Sequence, residues 1–338
     1  MRAPVYVFDP TIADAQSKVR GIGRYLQILK ENAPQDWLFT GSLQGIPPHA
    51  VLVQPFYNLL HKPLITRHIT DRQIAVIHDL IPQKYPSHFP IGPRGMWHQF
   101  WAKHVLRHFD LIITDSEASK ADIYKVLHVP EKKIQVLFPT LAAHMWQQAA
   151  TYKQQKPGDY CLYVGDGTWN KNLVNLARAI KKNDYTCIFA GKVFADTDPS
   201  HYQDPWQEEL HDFFTIAQGD KRFIFAGYVT DKELINLYEQ ARCNILVSRD
   251  EGFGFSYVEA GVFGCPSVLA DRPIFHEIAG ESALFVDPES PDAIAAAIQD
   301  LFTHDDLRTQ FSLKALERAK VYSKENFHVH LTQIVYPY

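Results

Sequence analysis

Short apolar runs rich in β-branched residues alternate with helix-length amphipathic stretches along nearly all of this 338-residue chain. Such a rhythm restricts the fold to parallel sheets, because parallel neighbours require a crossover connection and a helix is its usual form. In the first half, strands are expected at Val5 to Phe8, Val51 to Gln54, Ile74 to His78, Leu111 to Thr114 and Ile134 to Phe138. Helices are expected at Gly23 to Asn32, Met96 to His108 and Ala118 to Leu127. The second half repeats the pattern more cleanly, with strands at Tyr160 to Gly165, Thr186 to Gly191, Phe223 to Gly227, Asn244 to Val247, Ser267 to Ala270 and Leu284 to Val286. Its helices are expected at Leu173 to Lys181, Glu233 to Ala241, Val258 to Phe263 and Asp292 to Phe302.

One hydrophobic core rarely serves so long a chain, so two domains of roughly 150 residues each are expected. The polar, proline-containing stretch from Thr151 to Asp159 lacks periodicity and suits a linker, which puts the boundary near residue 156. The second half then reads as a complete doubly wound domain, whose ligand site should lie beyond the carboxyl ends of its strands.

Composition narrows the function mainly by exclusion. A net charge of −4 gives no basic footprint for nucleic acid. No stretch approaches the roughly 20 consecutive apolar residues of a membrane-spanning helix. The amino terminus reads as a first strand and not as a secretory signal, so a cytoplasmic location is expected. Four cysteines, Cys161, Cys187, Cys243 and Cys265, show no metal or redox spacing and are read as small core residues. Sixteen histidines include no His-x-x-x-His pair with an acidic companion, so no metal site is expected.

The segment Ser248 to Gly264 carries the most chemistry. It follows the strand at Asn244 and runs through Glu251-Gly252-Phe253-Gly254-Phe255-Ser256 into a helix. Glycines allow close approach of a ligand to the backbone, and a helix start offers free N–H groups and a positive dipole end to an anion. Glu251 and Glu259 flank that start, where carboxylates suit sugar or ribose hydroxyls. Glu259 has a purely structural alternative, since Ser256-Tyr257-Val258-Glu259 fits a capping box.

From Glu251 to Glu259 the pattern resembles the Glu-x7-Glu signature of family-four retaining glycosyltransferases, two-lobed enzymes of the GT-B fold. The resemblance implies two Rossmann-like α/β domains facing across a cleft: 1–156 on the acceptor side, 157–322 binding the nucleotide sugar, and a terminal helix in 323–338 crossing back to the first. It implies that Glu251 sits near the transferred sugar and that Glu259 holds the ribose. Gly21-Ile-Gly23-Arg24-Tyr25 is similar to the family's amino-terminal donor-contacting loop, which makes Gly21, Gly23 and Arg24 donor-binding candidates beside Gly252, Phe253, Gly254, Phe255 and Ser256. A plain helix start with Arg24 on a solvated face is the structural alternative. Ile77-His78-Asp79-Leu80 resembles the segment placing a histidine beside the reacting sugar, so His78 joins Glu251 as a catalytic candidate. Asp115 to Lys120 resembles the next strand-to-helix turn, where Ser116 also fits a helix cap.

Leu162 to Leu173 is similar to the opening of the second domain, where a basic pair steadies the donor diphosphate. Lys171 is present, but Asp166 and Asn170 occupy the positions at which family members often carry an arginine. Phe225 to Val229 resembles the strand end that cradles the nucleobase.

These matches imply metal-independent transfer of a hexose, with retention, from a nucleotide-diphosphate sugar to a saccharide or lipid-linked acceptor in surface polysaccharide synthesis. No cofactor beyond the co-substrate is implied. The look of the amino-terminal motifs favours bacterial mannosyl- or rhamnosyl-type transferases, and hence GDP-mannose. The aromatic and basic helix from Met96 to His108 is a candidate for peripheral contact with the inner face of a membrane, although core packing is the simpler account of its apolar stripe. The competing reading is a non-catalytic nucleotide-sugar or saccharide-binding subunit, favoured by Asp166 and Asn170. Another two-lobed sugar-nucleotide enzyme, such as an epimerase or phosphorylase, is disfavoured because its own diagnostic segments are not found.

Overall fold

Every strand pairing among the described residues is parallel, as the alternating pattern requires. The computed structural model describes residues 2–12, 21–152 and 157–336, and these form two six-stranded sheets in two separate units. The expected class, a two-domain α/β fold with doubly wound sheets, is therefore the one observed.

The first unit comprises Met1–Pro86, Pro90–Ala143 and Tyr322–Tyr338. Its elements run β1 (Val5–Phe8), α1 (Gly21–Asn32), β2 (Leu38–Thr40), β3 (Val51–Gln54), β4 (Arg72–Val76), α2 (Ile81–Lys84), α3 (Pro93–Val105), β5 (Leu111–Thr114), α4 (Glu117–Leu127) and β6 (Ile134–Val136). Strand order is β2-β1-β3-β4-β5-β6. Strands β3 and β5 are buried at every residue, which is why they read as unbroken apolar runs and not as alternating ones. Because β3, β4 and β5 are neighbours, their carboxyl ends bring Pro55, His78 and Asp115 to one edge.

Helix α3 departs from the expected packing. Ala102 and Val105 turn into the core, but Met96, Trp97, Phe100 and Trp101 are 62%, 59%, 64% and 41% exposed. The core takes only the narrow small-residue face of the helix, so core packing does not account for the aromatic stripe.

The second unit comprises Ser87–Phe89 and His144–Val321. After α5 (Ala143–Thr151) come β7 (Tyr160–Val164), α6 (Leu173–Ile180), β8 (Thr186–Ala190), α7 (Glu208–Ala217), β9 (Phe223–Gly227), α8 (Asp231–Gln240) and β10 (Cys243–Leu246). Then follow α9 (Phe255–Val262), β11 (Ser267–Ala270), α10 (Pro273–Ala279), β12 (Leu284–Val286), α11 (Pro291–Thr303) and α12 (Asp305–Ala319). The order β12-β11-β10-β7-β8-β9 reverses direction between β7 and β10, the topological switch point at which such sheets bind ligands.

The division between units falls at Ala143, ahead of the stretch read as a linker, because α5 joins the second unit: Tyr152 donates to the Glu239 carbonyl at 3.1 Å and His144 lies 3.2 Å from Asp231. Residues 153–156, including the position read as the boundary, lie outside the described residues. The terminal helix Lys324–Val335 belongs to the first unit, where Arg72 donates to the Ile334 carbonyl at 2.9 Å and His328 Nδ1 lies 2.7 Å from the Asn32 carbonyl.

Candidate functional site

In the second unit the two strands flanking the switch point each deliver a charged side chain. Strand β7 ends at Val164, and the chain then makes a tight turn through Gly167, where a Cβ would lie 2.1 Å from Leu210 Cδ2. A side chain there would have to displace Leu210, and the turn delivers Lys171. From β10 the chain continues through Ser248 to Glu251. Lys171 Nζ donates to Glu251 Oε1 at 2.7 Å, and Ser248 Oγ donates to the same oxygen at 2.7 Å. Both members of the ion pair are mostly buried, with 18% and 9% side-chain exposure. A buried pair costs desolvation unless further hydrogen bonds complete it, which is the part Ser248 plays.

Helix α9 begins immediately beyond this pair. Its N-cap is Gly254, at φ 98°, and a Cβ there would also press on Ile278 and Leu246 at 3.0 and 3.2 Å. The left-handed backbone and the core packing by themselves thus call for glycine at 254. The helix starts at Phe255, so Ser256 and Glu259 do not form the capping box that their spacing allows. Ser256 Oγ is buried without a hydrogen-bond partner among the described residues, and Glu259, 2% exposed, accepts from the Tyr238 hydroxyl of α8 at 2.8 Å. A helix N-terminus with an unsatisfied hydroxyl beside it is equipped to receive an anion. Phe253 is buried with its ring 5.3 Å from that of Phe255, so its side chain is a packing element; Gly252 is buried with it.

Asn170 and Asp166, at the positions where the resemblance implies an arginine, have clear local roles. Asn170 is 3% exposed; it donates to the Asp250 carbonyl at 3.0 Å and accepts from Thr168 Oγ1 at 2.8 Å, tying the two turns together. Asp166 is exposed and accepts from Thr168 N and Oγ1 at 3.3 and 3.0 Å. The nearby cation that sequence reading overlooked is Arg249. Its guanidinium donates to the Trp169 carbonyl and to Glu209 and Glu289 at 2.6, 3.3 and 3.0 Å, and stacks over the Trp169 ring. Burial raises the pKa of Glu209, against the lowering effect of Val174 N–H and Arg249.

In the first unit, His78 follows β4. Its Nδ1 lies 2.7 Å from Asp115 Oδ2 and its Nε2 3.2 Å from the Pro55 carbonyl. Both partners are acceptors, so an imidazolium donating from both nitrogens satisfies the arrangement. Burial alone would lower the His78 pKa, but the charge and hydrogen bond of Asp115, with Asp79 and the Pro55 carbonyl, raise it. The edge of the Tyr25 ring meets the imidazole at 4.5 Å, and burial next to Asp115 holds the Tyr25 phenol far above its ordinary range. Ser116 caps α4 by accepting from Ser119 N–H, and Ser119 Oγ donates to the His78 carbonyl at 3.0 Å.

Gly21, Gly23 and Arg24 lie within the first turn of α1, with Gly23 and Arg24 partly exposed. Asp115, Ser248 and Tyr238 were not among the site residues expected from sequence. The available signal for Asp115 was its place after β5, matching that of His78 after β4; a lone serine and a helical tyrosine carried none.

Residues 145–318 match the model of the family described as glycosyl transferases group 1. Among curated proteins, the chain is 26% identical over 242 residues to an O-antigen chain mannosyltransferase of Salmonella typhimurium, covering 71% of this chain and 64% of that protein. It is 30% identical over 158 residues to the GDP-mannose:cellobiosyl-diphosphopolyprenol alpha-mannosyltransferase of Xanthomonas oryzae, covering 44% of this chain and 39% of that one. Among solved structures, a glycosyltransferase from Rickettsia africae superposes with a TM-score of 0.66 at 14% identity, covering 99% of this chain and 98% of that chain. At that identity the likeness concerns the fold alone.

Proposed function

This chain belongs to the group 1 glycosyl transferases, and from that premise we propose that it transfers a hexose from a nucleotide-diphosphate sugar to a saccharide or lipid-linked acceptor in surface polysaccharide synthesis. The supporting observation is the Lys171–Glu251 contact of 2.7 Å at the β7/β10 switch point, immediately before the start of α9. The mannosyltransferase relatives support mannose as the sugar, and the Xanthomonas relative's named donor supports GDP-mannose.

In this reading the diphosphate takes the place opposite Lys171 now held by the Glu251 carboxylate. A phosphate, with more charge and more acceptor oxygens, competes well for the ammonium. Glu251 stays anchored by Ser248 and turns its freed acceptor capacity to a hydroxyl of the transferred sugar. The ribose hydroxyls go to Glu259, which Tyr238 holds in place. As the glycosidic bond breaks, negative charge grows on the departing phosphate, where Lys171, the Ser256 hydroxyl and the α9 dipole are already oriented. In the same proposal His78, whose two ring nitrogens are engaged by Asp115 and the Pro55 carbonyl, contributes a positive charge. Arg24, at the start of α1, is an added phosphate contact in the same proposal.

The non-catalytic alternative loses support because Asn170 and Asp166 have structural roles that leave Lys171 and Glu251 together. The test is to incubate the chain with a panel of nucleotide sugars and oligosaccharide or lipid-linked acceptors, with and without chelator, and to follow nucleotide release and product mass. Chelator-insensitive transfer from GDP-mannose is the expected result. Release from no donor with any acceptor, despite donor binding, would favour the binding subunit.

A further inference from the structure

Among the described residues the aromatic face of α3 is exposed, and it lies on the side away from Ala102 and Val105, the residues that anchor the helix. Its side chains form a continuous surface: the Trp97 and Phe100 rings stack at 6.1 Å, Trp101 meets Trp97 edge-on at 6.0 Å, and His104 meets Trp101 at 6.0 Å. Met96 extends it at one end. The neighbouring loop before β4 enlarges the patch, since His98 Nδ1 lies 3.2 Å from the Leu60 carbonyl, His68 meets His108 at 5.7 Å, and Leu64 is 55% exposed.

Charge on this surface runs against that of the whole molecule. Residues 60–70 and 91–108 contain Lys62, Arg67, Arg94, Lys103 and Arg107 and no aspartate or glutamate, in a chain of net charge −4. Tryptophan and phenylalanine on one helix face, bordered by lysine and arginine, suit the boundary between lipid headgroups and acyl chains, where the rings are buried and the cations meet anionic headgroups. A second copy of the chain would set five like charges against five, so self-association through this face is opposed by repulsion.

We propose that the exposed face of α3, with the loop 60–68 beside it, docks the protein on an anionic membrane surface through the Met96, Trp97, Phe100 and Trp101 side chains. Among the described residues no helix is long and apolar enough to cross a membrane, and the contact proposed is one of side chains with the membrane surface. This surface is separate from the donor site and stands whether or not the catalytic reading does.

The test is co-sedimentation of the chain with vesicles of phosphatidylcholine alone, and with vesicles containing about one-third phosphatidylglycerol, at low and moderate salt. The expected result is binding to the anionic vesicles that weakens with salt. Partitioning should fall about tenfold or more in the double variant Trp97→Ser, Phe100→Ser, and again in Lys103→Glu, Arg107→Glu. All four positions lie on the helix surface or its end, and unchanged thermal unfolding verifies that the variants fold. No binding to anionic vesicles, equal binding by wild type and variants, or a concentration-dependent dimer abolished by the same substitutions would each overturn the proposal.

Discussion

Lys171 is held ready by the carboxylate it is expected to exchange for a phosphate, so its removal should tell more about donor binding than about folding. Lys171→Ala is expected to weaken nucleotide-sugar affinity about 10- to 100-fold, the range of a charge-assisted contact worth about 1.5–3 kcal/mol. Glu251→Gln keeps the volume and the Ser248 contact but removes the charge opposite the mostly buried Lys171 ammonium, so it should reduce transfer roughly 100-fold or more and also lower the melting temperature. A variant with wild-type turnover would remove Glu251 from the mechanism. His78 offers a test by pH. Its folded pKa lies above the ordinary value of 6.5, so the stability it contributes is fully present below that value and is lost as pH rises through the raised one. Asp115→Asn leaves the burial and removes the charge, so the stability gap between wild type and variant should be widest below the ordinary histidine value and narrow as pH rises through the raised one. Nitrogen chemical shifts showing a neutral His78 at pH 6 in the wild type would contradict this account. At this scale the sequence singled out the charged residues on which the proposal rests, Glu251, Lys171 and His78. It did not reveal Asp115, Ser248 or Tyr238, because their roles come from strand adjacency and helix packing between distant segments.

Among the elements, α9 shows why a spacing rule can mislead. Ser256 and Glu259 have the separation of a capping box, but Gly254 takes the N-cap in a left-handed conformation, so the helix starts one residue before the serine and leaves its hydroxyl free. Gly254→Ala should cost about 1–3 kcal/mol for the backbone conformation, before any clash with Ile278. Circular dichroism under denaturant would show this, and a neutral substitution would mean the turn adapts. Buried strands such as β3 and β5 were legible from their apolar runs, whereas the edge strand β2, three residues long and partly exposed, gave no run to recognise. Register explains the cysteines: Cys243, Cys161 and Cys187 stand side by side on β10, β7 and β8. Burial holds the thiols of Cys187 and Cys243 well above their ordinary range and pushes Cys265 up to about 12. Alkylation by iodoacetamide should therefore be limited by unfolding; rapid labelling of the native chain would contradict the packing.

For the whole molecule, the repeated strand–helix pattern made the parallel α/β class and the two units legible, since each sheet needs its own covering helices. The division at Ala143 was not, because α5 is an ordinary amphipathic segment whose allegiance to the second unit depends on His144 and Tyr152 finding partners far along the chain. The strand order that puts β7 beside β10 is likewise invisible residue by residue, yet it decides where Lys171 meets Glu251. The central claim is that this switch point receives the diphosphate of a nucleotide sugar. It is tested most directly by calorimetric titration of GDP and GDP-mannose into the chain and into Lys171→Ala, both in chelator. The account predicts saturable binding to the wild type and at least about tenfold weaker binding to the variant. Equal affinity for the two proteins would contradict it.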